Sequence, residues 1–119
     1  MKMNYKKLLM QALLSIAIMA TSCLVGAQDV RMFVRHDVND YAIWKKGYDG
    51  YSGYQKSHGV FFQSVWQSTD NPNDVTVIHD FHSMEKAKSF ANSQELKDSM
   101  MKLGVKGTPR IWFTNKSAK

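Results

Sequence analysis

Cysteine is nearly absent from this 119-residue chain: Cys23 is the sole one, and it lies in the N-terminal stretch. Everything downstream therefore has no disulfide, no thiol chemistry and no cysteine metal ligand. Equally absent are a phosphate-binding glycine loop, a Gly-x-Ser-x-Gly elbow, a His-Glu-x-x-His pair and a basic patch interleaved with stacking aromatics. Those absences set aside the commonest nucleotide-binding, serine-hydrolase, zinc-protease and nucleic-acid-binding designs. The chain is basic, with 16 Lys and Arg against 10 Asp and Glu. Three of those 16 (Lys2, Lys6, Lys7) sit at the extreme N-terminus, which leaves 13 against 10, a net +3, spread evenly.

What is present begins with a leader. Residues 1–27 have a lysine start, an apolar run from Leu8, and the small-residue pattern Val25-Gly26-Ala27 that a signal peptidase reads. Three fates fit: cleavage before Gln28, lipidation at Cys23 after Ala20-Thr21-Ser22, or retention of Leu8 to Gln28 as an anchor. Each carries the domain at 28–119 across the membrane, because the lysines precede the apolar run. The expected location is periplasmic or secreted. The remaining chain, 44% hydrophobic and 12% aromatic over the full sequence, has the composition of one folded domain. Its core is thin enough for a partner subunit to help stabilise it.

The pattern from Val30 reads strand, helix, strand, strand, helix, strand. VRMFVRH (30–36), VFFQSVWQ (60–67), DVTVIHDF (74–81) and PRIWFTN (109–115) are rich in β-branched and aromatic residues. Asn39 is placed to cap a first helix whose inward face is Tyr41, Trp44, Tyr48, Tyr51, Gln55 and His58, ending at Gly59. The stretch GYDGYSGY (47–54) falls inside that helix, and its three glycines cost roughly 2–3 kcal/mol of helix propensity. Ser83 caps a second helix that bends near Asn92-Ser93, restarts with Leu96, Met100 and Leu103 as its apolar stripe, and stops at Gly104. The order βαββαβ is a split βαβ, ferredoxin-like α+β arrangement: a four-stranded antiparallel sheet with two helices on one face. Strands one and three are expected side by side at the centre and running parallel. Both parities of the strands carry large apolar residues, with Val60, Phe62 and Trp66 on one, Phe61 and Val65 on the other. A sheet apolar on both faces needs a second cover, here read as sheet-to-sheet pairing in a homodimer.

VRHDVNDYAIWKKGYD, NPNDVTVIHDF, ANSQELKDSMMKLGV and GTPRIWF together resemble the dimeric α+β barrel superfamily, near the antibiotic biosynthesis monooxygenase-like and cyclase-like small domains. The resemblance implies a sheet packed on a partner's sheet and a small-molecule cavity between sheet and helices. It implies an activity such as that of a cofactor-independent monooxygenase, a cyclase or an isomerase. The haem-degrading branch of this superfamily has a tryptophan at the end of the third strand and a histidine on the second helix. This chain has Phe81 at the first place and no histidine from Ser83 to Leu103.

Two sets of residues are candidates for chemistry. With parallel central strands, His36, His79, Asp80 and His82 gather at one sheet edge. There a neutral imidazole can take a proton from a phenol or carbon acid, with Asp80 orienting it. His36 and His79 are the candidate proton acceptors and His82 a ligand contact; half-exposed strand-end histidines with no chemical role are the bland alternative. Metal binding is disfavoured, since residues three apart on a strand point to opposite faces. The second set is aromatic: Tyr41, Trp44, Tyr48 and Tyr51 face the sheet, with Trp66 and Phe81 expected to look back at them. Singly each reads as core; as a group, with several hydroxyls needing partners, they describe a pocket for a flat, largely apolar, aromatic ligand. No tightly bound cofactor is expected. A binding or stress-related module without catalysis is the alternative reading of the same pocket.

Overall fold

The computed structural model describes residues 28–117; the leader falls on 1–27, outside the described residues. Eight elements follow one another: β1 (Val30–Val38), α1 (Tyr41–Asp49), α2 (Ser52–Ser57), β2 (Phe62–Gln67), β3 (Asp74–Phe81), α3 (Met84–Ala91), α4 (Gln94–Lys102) and β4 (Val105–Asn115). The four strands form one sheet in the order β2-β3-β1-β4, antiparallel throughout. This is the ferredoxin-like α+β arrangement read from the sequence.

The expected parallel pairing of the two central strands is wrong. β1 runs antiparallel to β3, with Val30 opposite Phe81 and Asp37 opposite Asp74. The helical crossover makes β1 and β2 parallel, and the hairpin then returns β3 into the gap between them, so β3 runs opposite to both. The hairpin loop is where Pro72 and its asparagines suggested. It closes with Asp74 N–H on Asn71 O (3.1 Å) and Ser68 N–H on Asp74 O (2.9 Å).

Strand alternation sorts the side chains cleanly. Val30, Met32, Val34, His36 and Val38 of β1, and Val75, Val77, His79 and Phe81 of β3, are buried on the helix side. Trp44 and Tyr48 from the first crossover, and Ala87, Phe90 and Ala91 from the second, complete this core. On the opposite side Arg31 grips Asp80 through two hydrogen bonds (2.8 and 2.9 Å), and Arg35 grips Asp74 likewise (3.0 and 2.7 Å). Between these pairs lie apolar groups: Phe33 stacked on Trp112 (centroids 5.0 Å apart), Ile78, Phe62 and Trp66. Phe62, Trp66 and Trp112 are 47%, 61% and 38% exposed, so this face is an uncovered apolar surface within the single chain.

Trp66 was expected to face the helices; it sits on the open side instead. The reason is a bulge at the start of β2. Phe61 N–H donates to Asp80 O, while Phe62 is the register partner of Asp80, so two residues stand opposite one. The extra residue inverts the parity, turning Gln63 and Val65 inward while Phe62, Ser64 and Trp66 face out. Val60, before the bulge, is buried and so parts company with Phe62 and Trp66.

The first crossover is two helices, not one. Gly50 and Tyr51 close tight three-residue turns onto Gly47 O and Tyr48 O (3.1 and 3.0 Å), and the helix restarts at Ser52. Its cap is Asp40 rather than Asn39: the Asp40 carboxylate accepts from Ile43 N–H at 3.0 Å. Asn73, from the hairpin loop, adds a second cap by accepting from Tyr41 N–H (3.0 Å), which ties the loop to the helix start. In the second crossover Ser83 and Ser93 cap α3 and α4, with the break where Asn92-Ser93 placed it. The last strand starts at Val105, four residues earlier than Pro109. A register shift opposite Arg35–Asp37, with Gly107 at φ +65°, lets it begin there.

Candidate functional site

A cavity of about 40 Å³ lies between the sheet and the helices. Its floor is Val34, His36, Val77 and His79; its walls are Trp44, Tyr48, Tyr51 and Gln55 from the first crossover, and its cover is Leu96, Ser99, Met100 and Leu103 from the second. Trp44 lies between Tyr41 and Tyr48, stacked on the latter with centroids 4.9 Å apart, and His36 meets Trp44 edge-on at 5.5 Å. The aromatic face read from helical spacing is thus real as far as Gln55; His58, at its end, is exposed and stacks on Tyr54 (3.9 Å).

One polar chain threads this apolar space. Tyr48 Oη–H donates to Gln63 Oε1 (2.5 Å) and lies 2.8 Å from His79 Nε2. Burial pushes the Tyr48 phenol above its ordinary value, so it remains protonated and has a single proton to give. With that proton directed at Gln63, Tyr48 accepts from His79 Nε2–H, and the neutral ring carries its free lone pair on Nδ1. His79 Nδ1 is buried with no hydrogen-bond partner among the described residues, and so is His36 Nδ1. Burial lowers the pKa of both imidazoles, His79 to about 4. Two neutral imidazoles with unused ring nitrogens therefore border one aromatic-walled cavity. Buried polar atoms are almost always partnered, so a pair of unpartnered ones at one cavity makes it the candidate functional site.

His36 and His79 both line this cavity, at separate points of its floor, and do not gather at a sheet edge. In the antiparallel pair His36 is opposite Val75, and His79 is opposite Met32. Asp80 does not orient His79; it lies on the open face, held by Arg31. His82 is 65% exposed by its side chain, paired with Asp29 (3.0 Å) and stacked on Phe61 (3.9 Å), away from the cavity. Trp66 is on the other face, and Phe81 is core packed against Phe90. Tyr41 flanks Trp44 outside the lining. Among the described residues no three His, Cys, Asp or Glu side chains converge as a metal site would. Gln63, the partner that sets the His79 tautomer, was missed. Its signal was present: once the strand parity is right, it is a polar residue at an inward position beside Val65.

The cover is lightly held. None of the residues of α4 is fully buried, and Leu96, Met100 and Leu103 rest half-buried over the cavity. Gly47 makes the seating of this helix end possible: a Cβ there would come within 2.2 Å of Leu103 Cδ2.

Solved structures match this fold over about three quarters of the chain or more. An antibiotic-biosynthesis-monooxygenase-type protein from Bordetella bronchiseptica superposes with a TM-score of 0.66 at 12% identity, covering 76% of this chain and 99% of that one. SnoaB, a cofactor-independent oxygenase from Streptomyces nogalater, gives 0.64 at 11% identity, covering 78% and 97%. A protein of the first type from Caulobacter crescentus gives 0.63 at 14% identity, covering 83% and 99%. No protein-family model and no curated protein sequence matches the chain. The chain has the ferredoxin-like α+β fold of the antibiotic biosynthesis monooxygenase-like domains.

Proposed function

We propose that this is an exported, homodimeric small-molecule-binding domain that accepts a largely apolar, aromatic ligand beneath α4 and removes a proton from it through His79, with no tightly bound cofactor. The observation that carries this reading is the lone pair of His79 Nδ1, buried without a partner in the wall of an aromatic cavity. A phenol or activated carbon acid bound there gives its proton to Nδ1 and keeps the electron pair. The resulting imidazolium is stabilised by the adjacent ligand anion and by Tyr48 accepting from Nε2–H. Such an electron-rich anion can be oxidised by dioxygen unaided, which fits the likeness to a cofactor-independent oxygenase. The leader at 1–27 supports export, and the open aromatic face of the sheet supports pairing of two copies.

A cavity of about 40 Å³ holds one water and not an aromatic ring. Ligand binding therefore requires α4 to lift, and the lightly packed Leu96, Met100 and Leu103 are the side chains that would part. The same small volume favours a second reading, in which the domain binds without catalysis or is filled by its own side chains. Mass spectrometry of small molecules co-purifying with the exported protein, followed by turnover assays on what is found, separates these. Under the first reading His79→Ala abolishes turnover and leaves the fold intact. Unchanged turnover, or unfolding of the variant, would assign His79 a structural role. Binding with no chemical change to the ligand would establish the second reading.

A further inference from the structure

Two buried ring nitrogens without partners border the cavity, and the proton transfer proposed above uses only one of them. His36 supplies the other. Its side chain is buried in the cavity floor and its ring meets the edge of Trp44 at 5.5 Å. An imidazole is a poor choice for packing alone, because a buried polar atom left unsatisfied costs about 1–3 kcal/mol. A leucine at this inward strand position would fill the space without that penalty.

Strand register sets how far apart the two histidines stand. Val34 and Val77 are directly opposite; His36 lies two residues beyond Val34 along β1, and His79 two residues beyond Val77 along β3, in the other direction. Four residues of strand, about 13 Å, separate them along the sheet, and one strand spacing of about 4.8 Å separates them across it. Their Cα atoms are therefore roughly 14 Å apart, and both rings project to the helix side. The floor is thus a strip with an imidazole at each end and the Val34–Val77 pair between them. The wall keeps the same order. Trp44 stands beside His36, Tyr48 lies nearly parallel to His79 (11°, centroids 6.0 Å apart), and the two aromatic rings stack on each other. One water, all that the closed cavity holds, cannot partner both nitrogens over that distance.

We infer that His36 is a second ligand-binding residue, which anchors the far end of the molecule whose near end faces His79. This rests on the binding mode proposed above and narrows the ligand to an elongated, flat molecule with an apolar middle and an oxygen at each end. One hydrogen bond of about 2.8 Å at each histidine leaves roughly 8 Å between the two oxygens, the span of two fused six-membered rings. A neutral imidazole presents a lone pair at Nδ1 in one tautomer and an N–H in the other, so His36 accommodates a hydroxyl or a carbonyl. His79, whose tautomer is set by Tyr48, accommodates only a donor. The two ends are therefore not equivalent: His79 selects the acidic group and His36 selects the length.

Two isomeric probes test it. Naphthalene-2,6-diol carries its oxygens at opposite ends of the ring system, and naphthalene-2,3-diol carries them at one end, with the same apolar body. Equilibrium dialysis against the protein should show the 2,6 isomer bound about tenfold more tightly, the worth of one hydrogen bond. His36→Leu should abolish that preference and leave the 2,3 isomer within about twofold of its parent affinity. A second measurement needs no variant: in protein labelled with nitrogen-15 histidine, the His36 Nδ1 resonance should move on adding the 2,6 isomer and stay in place on adding the 2,3 isomer. Equal affinity of the parent for the two isomers, a preference that persists in His36→Leu, or a His36 resonance indifferent to the 2,6 isomer would each overturn the inference. Failure of the underlying binding mode looks different, since neither isomer would then lose affinity in His79→Leu. Failure of the His36 anchor alone leaves that loss in place, and binding of neither isomer would overturn both.

Discussion

Tyr48 ties together residues that are far apart in the chain, linking Gln63 of β2 to His79 of β3 across the floor of the cavity. Its hydroxyl is the hinge of the proposed chemistry, because a phenol with one proton decides which nitrogen of His79 is left bare. Tyr48→Phe should lose about 1–3 kcal/mol of stability in chemical denaturation, since it leaves buried His79 Nε2 without its partner. It should also depress turnover more than ligand affinity, because Nδ1 is no longer held as the lone-pair nitrogen. A change confined to stability would make the network structural. The histidines also set a pH dependence. Their folded pKa values lie below the ordinary imidazole value, so the unfolded chain binds more protons between that value and the folded one. Stability is then fully present above about pH 6.5 and falls as the pH drops toward 4. Each such histidine contributes a slope of up to about 1.4 kcal/mol per pH unit. Asp74, whose pKa is lowered by its hydrogen bonds to Arg35, acts in the same direction at still lower pH. Denaturant midpoints measured from pH 7 to 4 check this: His79→Gln should have a shallower profile than the parent, with the His36 share left, and an unchanged slope would exclude His79 as its source.

Among the elements, the first crossover and α4 control how the cavity opens. The glycine-rich stretch GYDGYSGY reads in sequence as one weak helix; in space it is a joint between α1 and α2, and its glycines are not equivalent. Gly53 lies inside α2 with open space where a Cβ would go, so Gly53→Ala should raise stability by about 0.5–1 kcal/mol through helix propensity. Gly47→Ala has the same propensity gain but drives a methyl into Leu103 Cδ2. It should lower the thermal midpoint or, if α4 yields, increase hydrogen exchange in residues 94–102 and admit larger ligands. Equal midpoints for the two variants would show that Leu103 moves without cost and that α4 is not seated on Gly47. The Ser83 cap, the break at Asn92-Ser93 and the limits of β3 were all legible, because each rests on a local rule joining residue type to backbone geometry. The bulge at Phe61 was not legible, because strand parity is counted from a register that only the partner strand supplies. Trp66 was therefore placed on the wrong face while Tyr48 and Trp44, on a helix whose period is internal, were placed correctly.

For the molecule as a whole, the open face of the sheet is the dominant unresolved surface energy. Five apolar side chains lie between two Arg–Asp pairs whose charges are already matched within the chain, and Arg110, over the Trp112 ring, is a further charge that a second copy covering this face has to accommodate. Ile78→Lys puts an unmatched charge at its centre, between Phe33 and Ser64. Sedimentation equilibrium should show the association through this face abolished with the circular dichroism spectrum retained; an unchanged mass would remove the face from the interface. The amino-acid pattern alone determined the element order, the α+β class, the Ser83 cap and the hairpin turn, the aromatic inner face of α1 and the apolar character of both sheet faces. All of these depend on neighbours within a few residues or on simple periodicity. The antiparallel run of β1 and β3, the placing of His36 and His79 along the floor of one cavity, the exclusion of Asp80, His82 and Trp66, and the Tyr48–Gln63 bond were decided by strand register and by the hairpin's return into the sheet. Those are relations between segments tens of residues apart, and no local preference encodes which of two faces a distant strand will present.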